Sequence, residues 1–478
     1  MAEMTPMRIG ADLVTTAESS IVTSPYDGAE VGRVPIGTEA HIDAAVAAAV
    51  ARRDEGALPA WQRAEILDAA AVRLAARSEE FAQRIAAEAA KPIKTARGEV
   101  MRAVDTFRFS AAVGRTLTGE TIPLDASSAG AHKLGFVMRV PIGVVAAISP
   151  FNFPVNLVVH KIGPAIAAGC PVVLKPASST PLSALALAEM LINECGLPDG
   201  WLNVVTCKGA TANHLVEHPD VAMVTFTGSP AVGWGIRQKV PHKRVGLELG
   251  NNAPVIIEPS ADWELAADKI AVAATSFAGQ SCISVQRVYV HRSIAEQFVD
   301  RLTASFARLV VGDPFDDLTD VSSLIDRDET TRVVECIADA VRDGARIVTG
   351  GAVGADGILA PTVLADVTAD MDVCRTEIFG PVVGVQSYED VHEAMRLAND
   401  SRYGLQAGIF TADLDTAMLA ARTLDFGGVT VNEVPTWRAD QMPYGGLRDS
   451  GNTREGPAYA AREMTEERLV IIHSMSLP

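Results

Sequence analysis

The sequence contains no C-x-x-C pair, no H-E-x-x-H, no G-x-G-x-x-G after a strand and no uninterrupted apolar run of membrane-spanning length. It is also short of positive charge. With 41 Lys and Arg against 59 Asp and Glu, the formal net charge is -18, which argues against the basic face that nucleic acid or an anionic membrane surface requires. The most apolar stretch, VPIGVVAAISPFNFPVNLVV, is interrupted by Pro141, Pro150, Pro154, Asn152 and Asn156. Breakers at that density describe buried strand, turn and helix start, not a membrane span. The N-terminus, MAEMTPMRIGADLVTT, has neither the apolar core of a secretion signal nor an Arg/Ser-rich amphipathic pattern. A cytoplasmic location is expected.

Six cysteines, at 170, 195, 207, 282, 336 and 374, are too few and too scattered in 478 residues for a disulfide framework. His214 and His218 stand four apart without a third ligand nearby, so no metal site is expected and the pair reads as a solvated helix face. A chain of this length implies two or three domains.

What is present is alternation. An Ala-rich amphipathic stretch from His41 to Lys91 is broken at Gly56 and Pro59. Buried-strand runs then alternate with helical ones: IGVVAAIS, a helix to about Ala168, PVVLK, LSALALAEMLINEC, LNVVT, TANHLVEH and VAMVTFTG. This spacing predicts an α/β fold with a parallel sheet covered on both faces. The pattern restarts after ELGNNAP, predicting a second α/β unit to about residue 455. GETIPLDASSAGAHKLGFVMRV predicts an extended hairpin, and RLVIIH at 468–473 an orphan strand. Together they predict an oligomerisation arm.

Several short motifs sit at element ends. FTGSPAVG places Gly228 and Ser229 where a helix N-terminus can hold phosphate, or where an ordinary capped helix begins. Lys175 ends a predicted strand, a ligand position or a solvated end. Glu377 and Phe379 occupy a Gly-Pro turn, as contacts or as loop packing. Asn152, between two aromatics and two prolines, is an oxyanion donor or an Asx-turn residue. Glu248, at the junction of the two units, is a general base or a hinge ion pair. Cys282, in AGQSCISVQR, is a nucleophile or buried filler.

Taken in order, PFNFP, LKP, FTGS, ELG, GQSC, EIFGPV and PYGGLRDSGNTREG decide among these alternatives. From about residue 20 to the terminal strand the chain resembles the hydrolytic, NAD(P)-dependent aldehyde dehydrogenase superfamily. The resemblance implies two Rossmann-like parallel-sheet α/β domains plus a β-strand oligomerisation arm. The cofactor-binding domain takes residues 1–118 and 138–247, the catalytic domain 248–456, and the arm 119–137 and 457–478. It implies a homodimer or homotetramer.

By the same resemblance, Cys282 attacks the aldehyde, and Asn152 with the Cys282 backbone N–H holds the oxyanion. Collapse reduces the nicotinamide and leaves a thioester, which water activated by Glu248 hydrolyses. Members that pass the acyl group to coenzyme A lack this Glu, so an acylating enzyme is the disfavoured alternative, beside a non-catalytic protein that kept the fold. Lys161 matches a position assigned to proton transfer. Ser149, Phe151, Lys175, Ser178, Gly228, Ser229, Leu249, Glu377 and Phe379 match cofactor positions. Ser178 replaces a Glu found in many NAD-preferring members, so NADP is expected to be tolerated or preferred. The stretch VNEVPTWRADQMPYGG resembles a branch acting on lactaldehyde, phosphonoacetaldehyde and glyceraldehyde 3-phosphate. This points to a small polar or anionic aldehyde, with Arg108, His160 and Arg438 as candidate substrate residues or structural ion pairs. Against an anion, some such relatives carry Arg just before the nucleophile, where this chain has Ser281.

Overall fold

The computed structural model describes residues 4–475. Residues 1–3 and 476–478, assigned above to the cofactor domain and the arm, lie outside the described residues.

Two seven-stranded sheets form the body. The first orders Arg244–Glu248, Val221–Thr227, Val144–Ile148, Val172–Lys175 and Leu202–Val204 as five parallel strands. Val144–Ile148 is buried at every residue, as a strand covered on both faces must be. Two short strands that the sequence pattern does not signal, Met7–Ile9 and Asp12–Val14, continue this sheet antiparallel. The chain then crosses through Leu249–Asn252 into the second sheet, which begins at Ala253–Ile257. There Val285–His291, Val382–Tyr388 and Gln406–Phe410 run parallel around it.

The breaks at Gly56 and Pro59 separate the helices Glu39–Asp54 and Ala60–Ala76. A further break at Arg77 starts Ser78–Ala89. The 24-residue helix Ile93–Thr116 falls beyond the periodic stretch read from sequence. Gly98 and several β-branched residues weaken its local signal, and packing on Ala60–Ala76 and Asn156–Ala168 supports it instead.

A third sheet pairs the terminal strand Thr465–His473 with Lys133–Pro141 over nine residue pairs, and Thr121–Ile122 extends it. The terminal strand is therefore not an orphan, although its outer edge has no partner among the described residues. Among these residues no helix is long and apolar enough to cross a membrane. His214 does pair, with Asp43 at 2.5 Å, so that histidine is not merely solvated.

The topology sets where a ligand can sit. Ser149, Lys175, Gly228 and Glu248 lie at or just past the carboxyl ends of first-sheet strands, the usual ligand edge of open α/β sheets. Cys282 and Glu377 precede second-sheet strands. All six residues line one cavity, so the carboxyl edge of one sheet faces the amino edge of the other.

Candidate active site

Asn152 is held from behind. The loop after Val144–Ile148 carries it between Pro150 and Pro154, which lack N–H donors. Its side-chain Nδ2 donates to the Gln280 carbonyl at 3.0 Å, and its Oδ1 is buried without a partner. Lys91 donates to its backbone carbonyl at 2.5 Å and pairs with Glu99 at 2.5 Å. Glu99 in turn accepts the N–H groups of Val155 and Asn156, at 2.9 and 3.1 Å, the start of the next helix.

Cys282 follows a strained turn. Phe277, Ala278 and Gly279 all have positive φ, of 49, 53 and 73°. A Cβ at Gly279 would lie 2.1 Å from the Gly380 carbonyl oxygen, so only glycine passes there. The turn delivers the Cys282 thiol to the cavity wall, 2.8 Å from the Tyr444 hydroxyl. Desolvation pushes this thiol up to about 12, partly opposed by Tyr444, so sulfur is protonated at rest.

Glu248 ends its strand 3% exposed, and neither carboxyl oxygen has a partner among the described residues. Gly445 makes room for it, since a Cβ there would meet Oε1 at 2.7 Å. Desolvation first and the neighbouring charge of Glu455 second hold this carboxyl well above its usual range, against Arg438 and Lys161. Lys161, buried, donates to Thr227 at 2.7 Å and Thr225 at 3.2 Å, and burial lowers its amine.

Asn152, Glu248 and Cys282 share a cavity of about 490 Å³ with all nine residues expected to hold the cofactor. Ser229 stands at the N-cap position of the helix Pro230–Lys239 without a side-chain capping bond, and proline follows in the first turn, so the first N–H groups of the helix stay available to an anion. The Lys175 amine lies 3.4 Å from Ser178 and is lowered by burial. Glu377 accepts the Asn251 N–H at 2.9 Å, and burial pushes its carboxyl up to about 7. Phe151 and Phe379 meet edge to face, with centroids 5.9 Å apart. Size, helix terminus and the unpartnered Ser149, Asn152 and Glu248 atoms suit a dinucleotide with its reactive end at Cys282.

On the other side of Cys282 lies a second cavity, of about 30 Å³, which Glu248 also lines. Arg102, Arg438, Ser281, Tyr444 and Glu455 are among the polar residues of its wall. Arg438 is buried, pairs with Glu455 at 2.8 Å, and keeps an unpartnered Nε.

Comparison with known proteins places the whole chain in one family. The model of the aldehyde dehydrogenase family matches residues 14–470. The chain belongs to the aldehyde dehydrogenase family. It is 46% identical over 467 residues to a 3-sulfolactaldehyde dehydrogenase of Priestia aryabhattai, covering 97% of each chain. Aldehyde dehydrogenase 21 from Physcomitrella patens, solved in complex with the reaction product succinate, superposes with a TM-score of 0.96 at 37% identity, covering 100% of this chain and 99% of that one. An NADP-dependent glyceraldehyde-3-phosphate dehydrogenase from Bacillus halodurans C-125, complexed with NADP, superposes at 0.95 with 36% identity and coverage of 98 and 99%.

In this aldehyde dehydrogenase the three candidate substrate residues part company. Arg438 lines the small cavity. His160 stands behind it, fully buried, with Nε2 2.9 Å from Asp440 and 3.1 Å from Arg438, and burial lowers its imidazole. Arg108 is not brought to the site. It lies on the solvent face of Ile93–Thr116, paired with Asp105 at 3.0 Å. Arg102 takes the place expected for it, bound to Asp440 at 2.9 and 3.1 Å. Six residues on a helix turn the side chain by roughly 240°, so the two arginines cannot share a face. Tyr444, Glu455, Lys91 and Glu99 were also missed as site residues. The first two lie inside the motif PYGGLRDSGNTREG, and Lys91 and Glu99 had no signal beyond being charges in an apolar pattern.

Proposed function

We propose that this aldehyde dehydrogenase oxidises a small anionic aldehyde to its carboxylic acid, with NAD or NADP as acceptor. The observation that carries the reading is that Cys282 and Glu248 line both cavities at once, the dinucleotide-sized one and the small arginine-bearing one. The names of three relatives support an anion, since sulfolactaldehyde bears a sulfonate, glyceraldehyde 3-phosphate a phosphate, and succinate a second carboxylate, whereas lactaldehyde dehydrogenases among the relatives act on a neutral polar aldehyde. The free Nε of Arg438 and the half-exposed Arg102 are the donors for such a group.

Cys282, once deprotonated, adds to the carbonyl carbon. The developing oxyanion takes the second amide N–H of Asn152 and the backbone N–H of Cys282. The nicotinamide, when bound, is the two-electron acceptor, with Ser229 and its helix at the pyrophosphate, Lys175 at the adenosine ribose, and Glu377 and Phe379 at the nicotinamide ribose. Cys282 is left carrying the acyl group as a thioester. Glu248, ionised for this step, takes a proton from the attacking water and the acid leaves. Lys161 and its two threonines lie where that proton can be passed on.

NADP is accepted because no carboxylate opposes it at Ser178. A side cavity of about 80 Å³, bounded by Ser178 and Lys208, adjoins the large one there and suits a 2′-phosphate. The arm assembles copies: Leu469 and Ile471 are 51 and 53% exposed on an unpaired edge, a face that a second copy covers.

Initial rates with NAD and NADP, for neutral and anionic aldehydes of matched length, test the reading in the native protein and in Cys282→Ala. Turnover that favours anions and vanishes in the variant is expected. A native protein inert to every aldehyde, or a fully active variant, overturns it.

A further inference from the structure

Tyr444 reaches Cys282 from the wall of the small cavity. Its hydroxyl is 2.8 Å from Sγ and has no other partner among the described residues. The residue is 3% exposed, so phenol and sulfur meet without water between them. The ring is fixed three ways. Its backbone exchanges hydrogen bonds with Glu455, at 3.2 and 2.6 Å. Ile283 and Leu405 pack with it. The Arg438 guanidinium carbon stands 3.8 Å from the ring centroid, held in turn by Glu455.

We propose that Tyr444 is a catalytic residue, donating its O–H to Cys282 Sγ and stabilising the thiolate from which attack begins. A thiol is a weak donor and a thiolate a good acceptor, so the phenol proton belongs on the oxygen side of this contact. The stacked cation of Arg438 draws density from the ring and strengthens the phenol as a donor. Of the groups facing Cys282, burial and the carboxyls of Glu377 and Glu455 oppose the thiolate, whereas Tyr444 and Arg438 favour it. Among the described residues only Tyr444 touches sulfur with a polar atom.

The steps balance without a co-reactant. The S–H proton leaves for solvent or for an ionised Glu248, and Tyr444 keeps its own proton throughout. The S–C bond forms as the carbonyl π pair moves to oxygen. Charge then leaves sulfur, the contact with Tyr444 weakens, and Asn152 takes up the oxyanion. Tyr444 therefore governs formation of the nucleophile and leaves hydrolysis of the thioester to Glu248.

The inference rests on Cys282 being the nucleophile, and the experiment separates the two. Alkylation of Cys282 by iodoacetamide is followed by peptide mapping across pH in the native protein and in Tyr444→Phe, without aldehyde or dinucleotide. The inflection should move to higher pH in the variant, with alkylation at neutral pH about tenfold slower, the size of one hydrogen bond to a charged group. The acid limb of kcat/KM should move with it. A ring-fluorinated tyrosine at 444, similar in shape and more acidic, should move the inflection the opposite way, and serves if Tyr444→Phe does not fold. Coincident profiles, with alkylation abolishing turnover, overturn the role of Tyr444 alone. Alkylation that leaves turnover intact overturns the nucleophile and Tyr444 together.

Discussion

The Lys91 ammonium lies 2.5 Å from the backbone carbonyl of Asn152, and its charge is met by Glu99 at the same distance. It also sits 3.8 Å from the ring centroid of Phe153 and 4.6 Å from that of Phe277. Phe153 follows Asn152, and Phe277 begins the turn that carries the Cys282 thiol. One fully buried cation thus ties the loops of Asn152 and Cys282 together, and Glu99 fixes the helix that leaves the first of them.

Lys91→Met should separate positioning from stability. Glu99 is left as a buried, unpaired carboxylate, costing about 3–5 kcal/mol of unfolding free energy. The double variant Lys91→Met, Glu99→Gln removes that charge and should recover much of the stability, measured by urea unfolding. It should not recover kcat, because the Asn152 carbonyl has lost its donor, while dinucleotide affinity stays near native. A double variant with native kcat would make Lys91 merely structural.

The contrast between Arg102 and Arg108 shows what the sequence could and could not reveal. Strands, helices and the chemistry-bearing loops were legible because each motif sits at an element end, where Gly, Pro and Asn mark the boundary. Taken singly, Cys282, Glu248 and Asn152 stayed ambiguous, and the family resemblance carried by the order of the motifs put them on one site; all three line one cavity. Helix phase was not legible, since the pattern of Ile93–Thr116 is weakened by Gly98 and Thr95, and so the wrong arginine was assigned to the pocket. Lys91 escaped notice for another reason. A buried charge is recognisable only from its partner, and Glu99 becomes that partner only after the chain turns at Pro92.

Ser178→Glu tests the basis of cofactor choice. The Ser178 hydroxyl lies 3.4 Å from the Lys175 amine, so a carboxylate introduced at this position would pair with that amine and repel a 2′-phosphate. KM for NADP should rise about tenfold or more, with little change for NAD. Steady-state kinetics at fixed aldehyde measure both. An unchanged ratio would show that Ser178 does not face the ribose.

Glu248→Gln should uncouple the two halves of the reaction. The amide cannot take a proton from water, so acyl-enzyme accumulates. Rapid mixing should show a burst of reduced dinucleotide near one equivalent, followed by a steady state about 10²-fold slower or more. The native enzyme should also show a deacylation rate that climbs with pH. Its carboxyl is held above the usual range and must ionise before it can act as base. A variant with no burst and a native steady state would remove Glu248 from the mechanism.

Stability should itself depend on pH through Glu88, which is fully buried, and Glu377, which is half-buried, both pushed up by desolvation from 4.5 to about 7. A carboxyl with a raised value in the folded state binds its proton more tightly there than in the unfolded chain. Its contribution is present in full below 4.5 and is lost as pH rises to about 7. His160 works in the opposite sense, since its imidazole is lowered and folding gains as it deprotonates. Glu377→Gln isolates one carboxyl, because the amide oxygen still accepts the Asn251 N–H. The stability difference between variant and native protein should shift in the variant's favour by on the order of 3 kcal/mol across that window, read from urea midpoints at each pH. A difference that stays constant with pH would mean that Glu377 is ionised in the folded protein throughout, with a cation or a water supplying the charge compensation.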